Sequence, residues 1–331
     1  MASSKTNHIL ILIFCILGFT AKSSLWAQNE ISNYKVIWGS ITRNNQTNIV
    51  IRKYEKSKNL FYVTVNPNTI QTELINANNV TFKPSNWSQI QEDFKDTPYI
   101  KAIQIAQKES LSLQDSGITH GYPKEKGITL TIDLCPSHKP LDRIIFTSLI
   151  AEFRKSEKPI PIGLSITGRF LLTHSEDILW LQKLVKKGEI KITWINHTYN
   201  HHYNPKIPLQ ENFLLEPNTD IYFEVLGTEI AMLQQGLVFS PFFRFPGLVS
   251  NQKLIDKITQ YGLIPIGSDA WLAKGQQAHP GSIVLIHGNG NEPIGVKDFI
   301  DLIHNEKNGV LKKEWILYDL RESLENEFES N

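Results

Sequence analysis

Two histidines stand four residues apart, His197 and His201, within the stretch 195–203, which reads Ile-Asn-His-Thr-Tyr-Asn-His-His-Tyr. If this stretch forms a helical turn after the apolar run 190–195, both side chains lie on one face, with Cβ atoms about 5–6 Å apart. Their imidazole nitrogens can then bind one metal ion. Histidines on the surface or at a helix end are the alternative, since such a pair alone is a weak signal. The pair therefore indicates a metal site only with support from other residues.

Polar residues also follow the short apolar runs that predict buried strands. Asp133, for example, comes directly after the run 130–132. The residues at the other strand ends are His197, Arg244, Asp269 and His287. In a barrel of parallel strands the carboxyl ends meet on one rim, and that rim carries the chemistry. Each residue taken singly has a plain structural role as an alternative, but their common placement favours one shared site.

The chain from Gly127 onward alternates short apolar runs with amphipathic segments. The run 128–132 predicts a strand, and apolar residues at helical spacing predict a helix over 141–155. Further strands are predicted at 161–167, 190–195, 242–243, 263–266, 282–286 and 315–317, and further helices at 175–187, 223–236, 251–261 and 296–304. This alternation predicts an α/β fold, with a parallel sheet closed or nearly closed into a barrel.

The region from Gln28 to about Lys126 has a different pattern. Three runs of β-branched and aromatic residues, separated by turn residues, predict a small antiparallel meander at 34–42, 47–54 and 60–65. A helix follows over 86–113, broken by Pro98. No catalytic constellation is evident here, and His120 is interpreted as a loop residue. We therefore predict an N-terminal accessory region over 28–126 and a second domain over 127–331.

Residues 1–27 have the pattern of a secretory signal peptide. Lys5 precedes the apolar run 9–19, which is followed by a more polar stretch and by Ala27. The run is shorter than the roughly 20 apolar residues that span a bilayer, so we expect cleavage after Ala27, with an uncleaved anchor as the alternative. The mature protein is expected to be periplasmic or secreted and to have no integral membrane span.

The charge of the predicted mature chain is close to zero. Loss of Lys5 and Lys22 from the 34 basic and 33 acidic residues leaves 32 basic and 33 acidic residues, a formal charge of −1. This balance gives no basic face for nucleic acid, so no nucleic-acid partner is expected. Cys135 alone remains of the two cysteines, so no internal disulfide can form, and a buried thiol is expected.

Five short motifs in the region 127–305 resemble, in the same order, those of the NodB-homology polysaccharide deacetylases, the family 4 carbohydrate esterases. The family's Thr-Phe-Asp-Asp-Gly-Pro resembles residues 131–136, its His-Ser/Thr-x-x-His resembles 197–201, its Arg-x-Pro resembles 244–247, its Asp and Trp motif resembles 269–271, and its Leu-x-His resembles 285–287. The second and fifth are close matches. The resemblance implies a distorted (β/α) barrel of the NodB-homology type and a hydrolase that removes N-acetyl groups from a glycan.

The resemblance also implies how a metal ion and a general base are held. His197 and His201 bind a divalent ion, for which zinc is expected first and cobalt, nickel or manganese are alternatives. Asp133 is the general base, and Arg244 holds it. A nearby cation keeps a carboxylate ionised near neutral pH, as this role requires.

The remaining matched positions imply an acid and a substrate site. His287 protonates the departing nitrogen, and Asp269 orients His287 and favours its protonated form. The implied substrate-binding residues are Leu285, Tyr199, Gly247 and Trp271. Leu285 lines an apolar slot for the acetyl methyl group, and the backbone N–H of Gly247 helps to bind the oxyanion.

One position departs from the family pattern. The family's second aspartate, a metal ligand, falls on Leu134, which has no ligand atom. The third ligand therefore stays open. Asp133 or water is the first choice, His138 or Asp142 can reach in from the following loop, and Cys135 is a soft ligand in an unfavourable register.

Two functions from different classes follow. The first is a secreted or periplasmic deacetylase that acts on an N-acetylated polysaccharide or on peptidoglycan. The second is a barrel that has lost a metal ligand and only binds saccharide or a partner, through a groove lined by Trp194, Tyr199, Tyr203 and Trp271. The predicted acid, base and arginine are all present, which favours the enzyme.

Overall fold

A computed structural model describes residues 30–109, 112–123 and 126–325. The predicted signal peptide, residues 1–27, lies outside these ranges. The described part of the chain contains an N-terminal antiparallel sheet and a C-terminal parallel sheet covered by helices. Among these residues, no helix has both the length and the apolar character needed to cross a membrane.

The antiparallel sheet has the strand order β4-β3-β2-β1-β5. Its strands are β1 (Ile31–Arg43), β2 (Gln46–Lys56), β3 (Asn59–Val65), β4 (Thr72–Asn76) and β5 (Phe82–Pro84). Asn44 and Asn45, between β1 and β2, have φ angles of 52° and 61°. Two consecutive positive φ angles suit a two-residue hairpin turn, and asparagine tolerates them. The predicted meander is present as β1 to β3, whereas the short edge strands β4 and β5 were not predicted.

Two helices connect this sheet to the parallel sheet, α1 (Trp87–Asp93) and α2 (Pro98–Lys108). The side chain of Asn86 accepts a hydrogen bond from the N–H of Gln89 and caps α1. Pro98 stands at the first turn of α2, where its missing N–H costs nothing, so the helix predicted over 86–113 is divided there.

The parallel sheet has the order β10-β9-β8-β7-β6-β12-β11, and β13 pairs with the start of β6. Its strands are β6 (Gly127–Leu134), β7 (Ile160–Ile166), β8 (Ile190–Asn196), β9 (Phe242–Phe243), β10 (Ile264–Pro265), β11 (Ala270–Trp271), β12 (Ile283–His287) and β13 (Ile316–Leu317). Every residue of β6 and β7 is buried, as expected for strands covered on both faces. The predicted fold class is confirmed: the sheet curves as a distorted, incomplete (β/α) barrel.

Helices alternate with these strands. They are α3 (Arg143–Phe153), α4 (Gly168–Thr173), α5 (Ser175–Lys186), α6 (Thr228–Gln234), α7 (Gln252–Gln260), α8 (Pro293–Asn305), α9 (Lys307–Lys312) and α10 (Glu322–Glu325). A π-helical turn, Phe223–Gly227, leads into α6. Short 3₁₀ turns occur at Ala77–Asn79, Leu209–Glu211, Phe213–Leu215, Pro246–Leu248 and Leu272–Lys274.

A buried ion pair joins the antiparallel sheet to helix α6 of the second domain. Arg52 of β2 donates from Nε and Nη2 to the two carboxylate oxygens of Glu229 in α6, at 2.7 and 2.8 Å. Tyr34 of β1 donates to the same carboxylate at 2.5 Å, and both charged side chains are 0% exposed. The apolar core is also continuous, because residues of β2, β3 and α2 pack in one cluster with those of the parallel sheet. The N-terminal region therefore packs against the barrel through a buried ion pair and through apolar side chains.

Candidate metal centre

The two histidines lie on the loop that follows β8. This loop is irregular rather than helical, because Thr198 and His201 have φ angles of 67° and 50°. The expected helical turn is therefore wrong, yet the imidazole rings still meet, with centroids 4.8 Å apart. The two histidines lie together as their spacing predicted, but a loop and not a helical turn brings them together.

Buried polar side chains hold this loop in shape. The Oδ1 atom of Asn196 accepts from the N–H of Thr198 at 3.0 Å, and its Nδ2 atom donates to the carbonyl of Val225 at 2.9 Å. Glu224, on the π-helical turn, accepts from the N–H groups of Tyr199 and Asn200. These bonds satisfy a stretch of buried backbone that has no strand partner.

Cys135 supplies the third group of the cluster. Its Sγ atom lies 3.7 Å from Nε2 of His197 and 3.5 Å from Nε2 of His201. The three ligand atoms all lie within 4.8 Å of one another. Two imidazole nitrogens and one cysteine sulfur are donors that zinc prefers, so the residues fit a divalent ion.

Cys135 directly follows the last residue of β6, and its side chain, not that of Leu134, faces the histidines. Side chains alternate along β6, so Asp133 and Leu134 point to opposite faces of the sheet. Leu134 is fully buried in the apolar core on the other side. The expectation that the register of Cys135 is unfavourable is therefore wrong. The other suggested ligands, Asp142 and His138, are not part of the cluster, and Asp142 accepts the N–H of Gly290 at 2.8 Å.

Asp133 lies beside the cluster and is held by a buried arginine. Arg244 donates from Nη1 to Oδ1 of Asp133 at 3.2 Å and to Oγ1 of Thr131 at 2.7 Å. The other carboxylate oxygen, Oδ2, is 3.7 Å from Nε2 of His197. Burial raises the pKa of Asp133, but Arg244 and His197 lower it by more, so the carboxyl group is ionised. Asp133 is thus placed next to the three ligand groups without belonging to their cluster.

The backbone fixes which nitrogen of His197 faces Cys135. Nδ1 of His197 lies 3.0 Å from the carbonyl oxygen of Arg244, which can only accept, so Nδ1 carries a proton. In the neutral ring Nε2 then directs a lone pair toward the sulfur, an arrangement typical of metal-binding histidines. Burial lowers the pKa of His197, but Asp133 and Cys135 raise it by more. These groups are therefore stabilised by positive charge, which protons or a metal ion can supply.

The thiol of Cys135 responds to the same surroundings. Burial raises its pKa, but the imidazoles of His201 and His287 lower it by more, and the pKa lies well below its usual range. A thiolate is the form that binds metals. The surroundings of Cys135 thus favour its thiolate form, close to the carboxylate of Asp133.

His287, at the end of β12, has a different partner from the one expected. Its Nδ1 atom is 2.8 Å from Oε2 of Glu292, and the indole N–H of Trp271 donates to the same oxygen at 2.7 Å. Asp269 instead lies 2.6 Å from Nδ1 of His120 and accepts the N–H of Ile283 at 3.0 Å. The expectation that Asp269 orients His287 is therefore wrong, because the segment 112–123 folds against the barrel and His120 engages Asp269.

Glu292 and Cys135 together keep His287 charged. Burial lowers the pKa of His287, but the charge of Cys135 and the hydrogen bond to Glu292 raise it, to about 11. The pKa of Glu292 itself is raised by burial and lowered by more through His287 and Trp271. No motif in the sequence pointed to Glu292, which directly precedes Pro293 at the start of α8.

A cavity of about 1220 Å³ opens over these residues. Its lining includes Cys135, His201 and His287, with Gly247 and Trp271 from the set predicted to bind substrate. Three other residues that were predicted to bind substrate, Leu285, Tyr199 and Trp194, do not line the cavity. Leu285 is buried with Trp271 and Leu248, the ring of Tyr199 lies against Gly168 and Phe223, and Trp194 is buried in the core. Tyr203, also predicted for the groove, lines the cavity and is 52% exposed.

Comparisons with known proteins found one family model and several similar solved structures. A family model described as the RP012 protein N-terminal domain matches residues 32–100, which hold the antiparallel sheet and α1. A family 4 carbohydrate esterase from Bacillus anthracis has 18% identity and a TM-score of 0.47 over 66% of this chain and 89% of that chain. PdaA, a family 4 carbohydrate esterase from Bacillus subtilis, has 17% identity and a TM-score of 0.45 over 67% and 95%.

A pseudoenzyme of the same esterase family from Bacillus anthracis is also similar, with 15% identity and a TM-score of 0.42 over 64% of this chain and 69% of that chain. Likeness at this level concerns the course of the backbone. The chemistry is therefore inferred from the side chains of this chain.

Proposed function

We propose that the chain is a metal-dependent hydrolase that removes N-acetyl groups from an N-acetylated glycan of the cell envelope or of an extracellular polysaccharide. One observation carries the proposal: Cys135, His197 and His201 converge beside Asp133, which a buried arginine holds ionised. The ordered resemblance of the five sequence motifs to polysaccharide deacetylases supports the choice of reaction.

Cys135, His197 and His201 are the residues that would hold a divalent ion, with zinc expected first. A divalent ion bound in such a site makes water more acidic and polarises an acyl carbonyl. Asp133 takes the proton of the attacking water on its carboxylate. Arg244 keeps that carboxylate charged and oriented, because its guanidinium is fixed by Thr131 and by the carbonyl of Gly267.

His287 supplies the proton that the departing amine needs. An amine leaves poorly as an anion, so amide hydrolysis requires protonation of the nitrogen. His287 lines the cavity, and its ring is held between Glu292, which contacts Nδ1, and Cys135. The raised pKa of His287 keeps the proton available near neutral pH.

The cavity suits a sugar chain better than a small compact ligand. Tyr203 is exposed and its ring stacks on Phe213, with centroids 5.1 Å apart. Arg169, Asn200 and Glu216 add polar groups along the same lining. An exposed aromatic face next to hydrogen-bonding side chains supports binding of N-acetylated polysaccharide or peptidoglycan strands.

The decisive experiment measures acetate release from chitooligosaccharides and from peptidoglycan fragments by the zinc-loaded protein. We expect release by the native chain and by Asp301→Asn, whose side chain is 58% exposed on α8. We expect Asp133→Asn to lose at least about 100-fold while it keeps its metal, since removal of a general base typically costs 10²–10⁴-fold. A fully metal-loaded protein that releases no acetate from any N-acetylated glycan would refute the proposal.

The same exposed aromatic residue favours a second candidate, a barrel that only binds saccharide. In that case the chain would bind chitooligosaccharides through Tyr203 without releasing acetate. Isothermal titration with the native chain and Tyr203→Ala, alongside the acetate assay, distinguishes the two functions.

Export is part of the proposal, because such substrates lie outside the cytoplasm. The sequence pattern of residues 1–27 supports it. N-terminal sequencing of the protein from its native compartment should begin near Gln28, and an intact Met1 on cytoplasmic protein would contradict export.

A further inference from the structure

We propose that Cys135 binds the ion as a thiolate, which makes the centre a Cys-His-His site for soft and borderline ions such as zinc, cadmium and cobalt rather than for magnesium or manganese. The proposal deepens the proposed function, since it rests on the metal centre. It does not depend on the glycan or on acetate release.

The distances within the cluster agree with one ion between the three donors. Zinc lies about 2.3 Å from sulfur and about 2.0–2.1 Å from nitrogen, so a tetrahedral angle gives a sulfur–nitrogen separation of about 3.5 Å. Sγ of Cys135 lies 3.5 and 3.7 Å from the two Nε2 atoms. The sulfur therefore already has the spacing from each nitrogen that a shared ion imposes.

The main chain at Cys135 is fixed from both sides. Asn289 donates from Nδ2 to the carbonyl of Cys135 at 2.6 Å, and Thr167 donates to the carbonyl of Leu134. Cys135 is only 5% exposed, although it lines the cavity. A sulfur held in this way has little freedom to turn away from the histidines.

Of the cationic side chains near the sulfur, His287 interacts with it directly and Arg244 does not. Arg244 is committed to Asp133, to Thr131 and to a backbone carbonyl, so it is directed away from Cys135. Nδ1 of His197 faces the Arg244 carbonyl, which leaves its other nitrogen as a donor of electrons toward the sulfur. Three electron-pair donors meeting in a buried place are stabilised when a cation lies between them.

The type of donor determines the preferred ion. Thiolate selects soft and borderline metals, whereas carboxylate and water suit magnesium and manganese. Leu134 offers no oxygen at the position where the family's sequence motif has a second aspartate. Sulfur therefore replaces oxygen in the ligand set, and the preference shifts toward zinc.

The test uses the purified full chain loaded with Co²⁺ or Zn²⁺, with no substrate present. We expect one ion per chain and an intense near-ultraviolet absorption from charge transfer between the thiolate and cobalt. Cys135→Ser should lose this absorption and bind zinc at least about 10-fold more weakly, since even residues that support a ligand change affinity by 10–100-fold. Cys135→Asp should keep a site but bind manganese more tightly relative to zinc.

A second measurement tests the proposal without a variant. Zinc should slow the alkylation of Cys135 by iodoacetamide in the native chain, because a bound thiolate is not free to react. Zinc binding by a folded Cys135→Ser chain at native affinity, no cobalt–thiolate absorption, or rapid alkylation in excess zinc would each overturn the proposal. Metal binding through Cys135 without acetate release would refute the deacetylase and leave this proposal standing.

Discussion

Nδ1 of His287 lies 2.8 Å from Oε2 of Glu292, a carboxylate that also accepts the indole N–H of Trp271. His287, the proposed acid, is therefore contacted by the residue that directly precedes α8. Glu292 lies beside His287 where the sequence resemblance placed Asp269.

This contact predicts a selective defect in Glu292→Gln. The variant weakens the hold on protonated His287, so hydrolysis of N-acetyl groups should fall by about 100-fold, in the range of general-acid effects. Hydrolysis of nitrophenyl acetate should fall much less, because nitrophenolate leaves without a proton. Zinc content should be unchanged, and Asp301→Asn on α8 serves as the charge-matched control. Equal losses on both substrates would mean that Glu292 acts only through folding.

The histidine pair predicts the joint loss of metal and activity. His201→Ala removes one of three donors, so zinc content measured by atomic absorption and acetate release should both fall to near background. Asp133→Asn should lose only the activity, since Asp133 lies outside the three-donor cluster. Loss of zinc from Asp133→Asn would make the aspartate a ligand and would contradict the assignment of base.

The ion pair between Arg52 and Glu229 predicts a large loss of stability on truncation. Arg52→Ala leaves a fully buried carboxylate unpaired, which costs about 3–5 kcal/mol in the free energy of unfolding. Arg43→Ala is the matched control, because the pair with Glu73 is about half exposed and is worth about 0–1 kcal/mol. Urea unfolding of both variants measures the difference, and similar losses would show that the buried pair is not the cause.

Glu157 predicts a pH dependence of stability away from the metal centre. Burial raises its pKa to about 7, from 4.5, while the N–H of Leu317 lowers it in part. The folded chain therefore holds this proton more tightly than the unfolded chain, so stability falls as pH rises from 4.5 to 7. Glu157→Gln keeps an acceptor for Leu317 and should remove up to about 3 kcal/mol of that fall. Unfolding curves of the two chains at several pH values test this, and parallel pH profiles would contradict it.

Much of the site was predictable because its residues directly follow strands in the sequence. Apolar runs gave the strands, and the residue after each run gave Asp133, His197, Arg244 and His287, which the structure does bring together. The partner of His287 could not be predicted from the residues next to it in the sequence. Asp269 is taken by His120 only because a distant segment folds against the barrel, and Glu292 reaches back through a loop.

The third ligand was missed for a different reason. The family motif has its metal-binding aspartate at position 134, and Leu134 offers no ligand atom. The motif therefore predicts no third ligand. Cys135 lies three residues beyond the strand predicted over 128–132 and directly after β6 as the structure has it. The direction of its side chain therefore depends on a strand end and a loop that the sequence pattern did not define.

The contact between Arg52 and Glu229 also bears on the order of folding during synthesis. The two residues are 177 positions apart, so β2 leaves the ribosome long before its partner exists. At 5–20 residues per second, this delay is roughly 9–35 s. During this interval Arg52 has no carboxylate partner, and the side chains of the N-terminal sheet that pack against α6 stay exposed. The N-terminal sheet therefore becomes fully native only after α6 has been synthesised.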